Sequence, residues 1–210
     1  MIKNIIFDFG NVIIDINPSA TEQKFIDLFT PEGAFMVKSS GILEKYEVGG
    51  MQESVFLDLL SGYAPPSVSR EDIKGAWNKM LLFIPKERLA LLLDLKKQFN
   101  TYLLSNTNAT HMNWIYDYLA DEHDINDWDE KYFHKAYYSH IMEKRKPNSD
   151  IFHQVLEEQN LIPEETLFID DNSENIATAR RVGIHGVLHD ERILPLHKVI
   201  NRELSNINGL

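Results

Sequence analysis

Short apolar runs alternate along the chain with longer segments of helical period. Ile2 to Phe7, Thr101 to Ser105, Tyr137 to Ser139, Thr166 to Ile169 and Ile184 to Leu188 have the length and apolar character of buried strands. Lys86 to Phe99 carries Leu89, Leu92, Leu93 and Leu95 among lysines and an aspartate, the stripe of a helix lying on a sheet. Ser173 to Val182 predicts another helix, and Gly183 stands where a left-handed residue would end it. The order strand, helix, strand, helix predicts an α/β fold, a Rossmann-like, mainly parallel sheet with helices on both faces.

The stretch from residue 17 to 85 breaks this alternation. Asn17 and Pro18 read as a helix start, Gln52 to Leu60 and Glu71 to Leu82 continue in helical period, and Gly49-Gly50 and Pro65-Pro66 punctuate them. No convincing strand falls within it. The expected organisation is a core domain of residues 1–16 and 86–210 with a helical domain, residues 17–85, inserted into it. The acidic stretch Asp121 to Glu130 reads as a solvated loop.

At 210 residues, 43% of them hydrophobic, the chain has room for one substantial core and is too apolar to be disordered. No run approaches the roughly 18 apolar residues that a membrane-spanning helix needs. A net charge of −11, with no basic stripe beyond Lys144, Arg145 and Lys146, argues against a nucleic-acid partner. The absence of cysteine leaves oxygen and nitrogen ligands for any metal, which favours hard cations such as magnesium. The N-terminus lacks the long apolar middle of a secretion signal, so a cytoplasmic protein is expected, as a monomer or homodimer.

In open α/β sheets ligands bind beyond the carboxyl ends of the strands. The residues there are Asp8, Ser105 with Asn106, and Asp170 with Asp171. Three converging carboxylates repel one another unless a cation compensates them, and a magnesium ion does so. Lys146, before Pro147 and a helix expected from about Asn148, can bring an ammonium to the same edge. The Ser105 hydroxyl and an Asn106 N–H at the start of the next helix would make a seat for phosphate. An isolated aspartate after a strand is as often a helix cap, and a short lysine run a solvated face. Only their joint placement points to phosphoryl transfer, with a small phosphate ester as partner. Tyr46, Glu47 and Trp77 are candidates for specificity, and the eight histidines carry no assigned role.

Phe7-Asp8-Phe9-Gly10-Asn11-Val12, Leu104-Ser105-Asn106, Lys146-Pro147 with Phe152, and Ile169-Asp170-Asp171-Asn172 with Asn175 resemble, in order, the four motifs of the haloacid dehalogenase-like (HAD) hydrolases. The resemblance covers essentially the whole chain. It implies that Asp8 is a nucleophile forming an aspartyl-phosphate, with Ser105, Asn106 and Lys146 on the phosphoryl group. It also implies magnesium on Asp8, the Gly10 carbonyl and Asp171, with Asp170 acting through water. Residues 17–85 would be a cap that closes over substrate.

One departure matters. The aspartate usually found two positions after the nucleophile, a general acid and base, is Gly10 here, and such a group contributes roughly 10²–10⁴-fold. Its loss favours a leaving group that needs little protonation. Since the first motif is similar to that of bacterial sugar-1-phosphate phosphatases, glucose 1-phosphate is the leading substrate expected. Asp15 is an alternative acid. The rival readings are a metal-independent dehalogenase and a catalytically silent protein that binds a phosphorylated metabolite.

Overall fold

The computed structural model describes residues 1–208. Strands β1 (Asn4–Phe7), β2 (Asn100–Ser105), β3 (Lys135–Tyr138), β4 (Thr166–Asp170) and β5 (His185–Leu188) form one sheet. All neighbours are parallel, in the order β3-β2-β1-β4-β5. From β1 the chain builds one flank of the sheet through β2 and β3, then returns to the other side of β1 with β4. The order therefore reverses beside β1, and a crevice opens there at the carboxyl ends of β1 and β4.

Between β1 and β2 lie α1 (Pro18–Leu28), α2 (Pro31–Ser39), α3 (Ile42–Glu47), α4 (Glu53–Ser61), α5 (Arg70–Asn78) and α6 (Lys86–Lys96). The rest of the chain adds α7 (Ala109–His123), α8 (Trp128–Tyr132), α9 (Ser139–Met142), α10 (Ser149–Glu158), α11 (Ser173–Arg181) and α12 (Leu196–Asn208). Among the described residues no helix is long and apolar enough to cross a membrane.

Alternation along the strands sends side chains to two cores. Ile5, Phe7, Leu103 and Ile169 pack under Leu89, Leu92 and Leu95 of α6, Met112 and Ile115 of α7, and Val199 of α12. Ile6, Leu104 and Phe168 face the other way, onto Phe152 and Val155 of α10 and Ile176 of α11. Helix ends follow local chemistry. The Asn172 side chain accepts from the N–H groups of Glu174 and Asn175 to start α11, and Gly183, at φ +90°, turns the chain into β5.

Three local expectations shift. Pro18 opens α1, but the Asn17 side chain makes no capping bond. The third strand, expected over Tyr137 to Ser139, lies upstream at Lys135–Tyr138, so that Ser139 starts α9 instead of ending β3. Asp121 to Glu130 is not one solvated loop: α7 runs to His123 and α8 begins at Trp128, which is buried against Phe9, Tyr132 and Phe133. Charges along this stretch mask the apolar anchors Ile125 and Trp128.

Helices α1 to α5 surround an apolar cluster of their own, which includes Phe25, Tyr46, Phe56, Leu60, Ile73 and Trp77. Its contacts with the sheet-bearing part are notably polar. Thr110, in α7, donates its hydroxyl to Glu53 at 2.8 Å, because a carboxylate only accepts, so the Tyr46 hydroxyl must donate to Thr110 Oγ1 at 2.6 Å. The Trp77 indole N–H donates to Asn108 Oδ1 at 3.2 Å, and its ring stacks on His111 with centroids 4.8 Å apart.

His111 is fully used as a neutral ring. Nδ1 faces the Asn108 amide nitrogen at 3.2 Å, and Nε2 faces the Trp77 carbonyl at 3.2 Å. Burial pushes its pKa down to about 4, only partly opposed by the Trp77 carbonyl. The unfolded chain then takes up the proton first, so stability falls as pH drops from about 6.5 toward 4. Between pH 7 and pH 5 this group is expected to cost about 2 kcal/mol. Urea unfolding at both pH values should show His111→Gln losing less stability over the interval than the unaltered chain, and an equal loss would contradict the assignment.

Candidate active site

The sheet edge is built strand by strand. Asp8 directly follows β1, with its N–H on the Ile169 carbonyl at 2.9 Å, and Asp170 ends the neighbouring β4. Oxygens of Asp8, Asp170 and Asp171 all lie within 4.8 Å of one another. Between two of them sits Lys146, 1% exposed. Its Nζ donates to Asp8 Oδ1 at 2.5 Å, Asp170 Oδ2 at 2.8 Å and the Leu104 carbonyl at 2.8 Å, which uses all three ammonium protons.

The carboxylates differ in what remains open to them. Asp170 is fully buried: Oδ1 accepts from the Asn172 N–H and both oxygens accept from Asn175 Nδ2. Asp171 is exposed and accepts from Asn11 Nδ2 at 2.8 Å. Burial pushes Asp8 up to about 7, with the Asp170 charge adding to it, although Lys146 pulls the other way. Asp171 is raised by partial desolvation and by Asp170. Burial also opposes the charge on Lys146, yet Asp170 and Asp8 hold its pKa above the ordinary value. One ammonium against three acids leaves a negative excess, and the donors are all hard oxygens. The residues present therefore fit a magnesium ion.

Ser105, 3% exposed, ends β2 at the same edge. Asn106 does something the sequence reading missed: its side chain clamps the Lys146 backbone, donating to the carbonyl at 2.9 Å and accepting from the N–H at 3.0 Å. Asn106 does not start the next helix. Helix α7 opens at Ala109, with Asn108 accepting from the His111 N–H.

A side chain at position 10 would first meet the tip of Ile16. The Cδ1 of Ile16 lies 2.9 Å from where a Cβ at position 10 would stand. Asp15 is held by Arg88 at 2.7 Å, and the same guanidinium nitrogen donates to the Ile13 carbonyl, so Asp15 is not a free acid. Asn11, at φ +54°, turns its side chain to Asp171 and accepts from the Ile16 N–H. Its signal in the sequence is an asparagine after glycine, a residue that tolerates the left-handed region. Of the specificity candidates, Tyr46 and Trp77 are buried in packing and Glu47 reaches Arg145.

Comparisons with known proteins agree with this arrangement. Residues 67–183 match the family model of the haloacid dehalogenase-like hydrolases. The D-ribitol-5-phosphate phosphatase of Bacteroides thetaiotaomicron is 33% identical over 188 residues, covering 87% of this chain and 89% of the relative. A crystal structure of a HAD family enzyme from the same organism, in complex with magnesium and inorganic phosphate, superposes with a TM-score of 0.81 at 32% identity, covering 90% of this chain and 94% of that one. A HAD-like family hydrolase from Porphyromonas gingivalis gives a TM-score of 0.81 at 31% identity, covering 96% and 98%. With the parallel sheet, the ordered motifs and these relatives in agreement, the chain belongs to the haloacid dehalogenase-like hydrolase family.

Proposed function

We propose that this chain is a magnesium-dependent phosphatase of small phosphorylated sugars or sugar alcohols, with Asp8 as its nucleophile. The observation that carries the reading is the convergence of Asp8, Asp170 and Asp171 around Lys146 at the crevice. The relatives named above support it, one by its activity on a sugar-alcohol phosphate and one by its magnesium and phosphate.

In this reading an Asp8 oxygen attacks phosphorus as the bond to the ester oxygen breaks, the alkoxide leaves and takes a proton from water, and the resulting aspartyl-phosphate is cleaved by the hydroxide so formed to restore the carboxylate and release phosphate. Lys146 fixes the orientation of Asp8 and, with Ser105, offsets the charge of the phosphoryl oxygens. Asn106 keeps Lys146 in place through its backbone. Asp170 anchors Lys146 from the other side, while Asn11 aims Asp171 into the crevice. Magnesium held by Asp8, the Gly10 carbonyl and Asp171 would neutralise the excess charge and polarise the phosphoryl group. Residues 17–85 act as the cap, shielding the reaction from water.

The glycine at position 10 bears on the substrate. No side chain there can protonate the leaving oxygen, which favours esters whose alcohol is already acidic, such as glucose 1-phosphate. D-Ribitol 5-phosphate is the other candidate, by similarity to the curated relative.

Asp8→Asn is expected to lower kcat by about 10³-fold or more, measured as phosphate release with magnesium. Preserved turnover in this variant would remove Asp8 from the mechanism. EDTA should abolish activity and added magnesium restore it, whereas turnover that survives chelation points to the metal-independent dehalogenase reading. Binding of phosphate esters without any release of phosphate would favour the silent one. Comparing kcat/KM for glucose 1-phosphate and glucose 6-phosphate tests the leaving-group argument, since equal or inverted values would refute it.

A further inference from the structure

Arg88, in the first turn of α6, is a second buried cation, only 5% exposed. Its Nη1 donates to the Ile13 carbonyl at 3.1 Å and to Asp15 Oδ1 at 2.7 Å, and its Nη2 stands 3.7 Å from Glu191 Oε2. Desolvating a guanidinium is unfavourable, and an apolar side chain of similar volume could pack there at less cost. What the charge supplies is a fixed geometry among three segments, namely the loop after β1, helix α6 and the loop after β5.

The loop after β1 carries that geometry to the site. The N–H groups of Ile13 and Ile14 both reach the Phe9 carbonyl, at 2.8 and 3.0 Å, and the Asn11 N–H reaches the Ile14 carbonyl at 2.7 Å. With the Ile16 N–H returning to the Asn11 side chain at 3.2 Å, residues 9 to 16 form one hydrogen-bonded coil. Arg88 grips this coil at Ile13 and Asp15. The same coil bears the Gly10 carbonyl and the Asn11 amide that donates to Asp171. It also leads straight into the inserted helices, since the Asp15 N–H and carbonyl pair with Phe83 and Leu82 where those helices return. Without an anchor at Asp15, any movement of the inserted helices would be passed on to Asn11. On the far side, Glu191 accepts from the Leu196 N–H at 3.0 Å, and the His189 N–H holds the Asp170 carbonyl at 2.9 Å. The loop after β5 is thereby tied to the strand end that bears Asp170 and Asp171. Asn11, Asp15, Arg88, Asp171 and Glu191 line one cavity of about 570 Å³, so the clamp lies beside the carboxylate it serves.

Resting on the phosphatase reading, we infer that Arg88 is a positioning residue for magnesium, which clamps Ile13 and Asp15 so that the Gly10 carbonyl and Asn11 stay in register with Asp171. Groups that orient metal ligands from outside contribute roughly 10–100-fold in affinity. The test is a calorimetric titration with magnesium ion alone. R88M keeps a similar apolar reach and removes every donor, and it should raise the Kd roughly tenfold or more. R88K should recover part of the affinity, because an ammonium can still reach Asp15 but lacks the planar fork. D15A, at a half-buried position, loosens the clamp from its other end and should raise the Kd in the same direction. L89V trims the core beside Arg88 and should lower Tm while leaving the Kd unchanged. An unchanged Kd in R88M, or in D15A where R88M does not fold, would overturn the inference, as would an equal rise in L89V. No magnesium binding by the unaltered chain would instead overturn the phosphatase reading, and the inference with it.

Discussion

A single buried ammonium organises this molecule. Lys146 is almost wholly buried, and its charge is tolerable only because Asp8 and Asp170 meet it from two adjacent strands and the Leu104 carbonyl from a third. The arrangement needs the parallel register of β2, β1 and β4, so the sheet topology and the electrostatics of the crevice constrain each other. Removing one partner from such a group leaves an uncompensated charge, a far larger penalty than loss of an exposed ion pair. The surrounding amides of Asn106 and Asn175 serve the same cluster, one through the Lys146 backbone and one through the Asp170 carboxylate.

Much of this was legible in the chain alone, for a specific reason. Asp8, Ser105 and Asp170 are the first polar residues after, or the last in, apolar runs, and a parallel sheet gathers such positions at one edge. Lys146 could be placed by its proline and the helix that follows. Contacts that depend on side-chain direction across distant segments were not legible. Asn11 to Asp171, Asn106 to Lys146, and Tyr46 to Thr110 to Glu53 join residues whose pairing leaves no trace in hydrophobic period. The burial of Trp128 was hidden for a related reason, since its neighbours in sequence are charged while its neighbours in space are aromatic.

The inserted helices meet the sheet core through groups of a different kind from those inside either part. Within each part, apolar clusters dominate. Across the junction, hydroxyls, amides, an indole N–H, an imidazole and an ion pair carry much of the contact. Polar partners of this sort can exchange for water at small net cost, whereas separating interlocked apolar surfaces cannot be offset in that way. The composition of the junction thus suits two parts that hold a defined geometry yet can separate.

The side chain of Ile16 in the space beside Gly10 bears on how such a chain can diverge. An aspartate introduced at position 10 meets that methyl group at the far end of a half-buried side chain, which can turn aside. A change at position 10 therefore asks only a rotation of its neighbour. Descendants of this sequence could cross between proton-assisted and unassisted chemistry through a single codon, with the neighbouring isoleucine accommodating the newcomer.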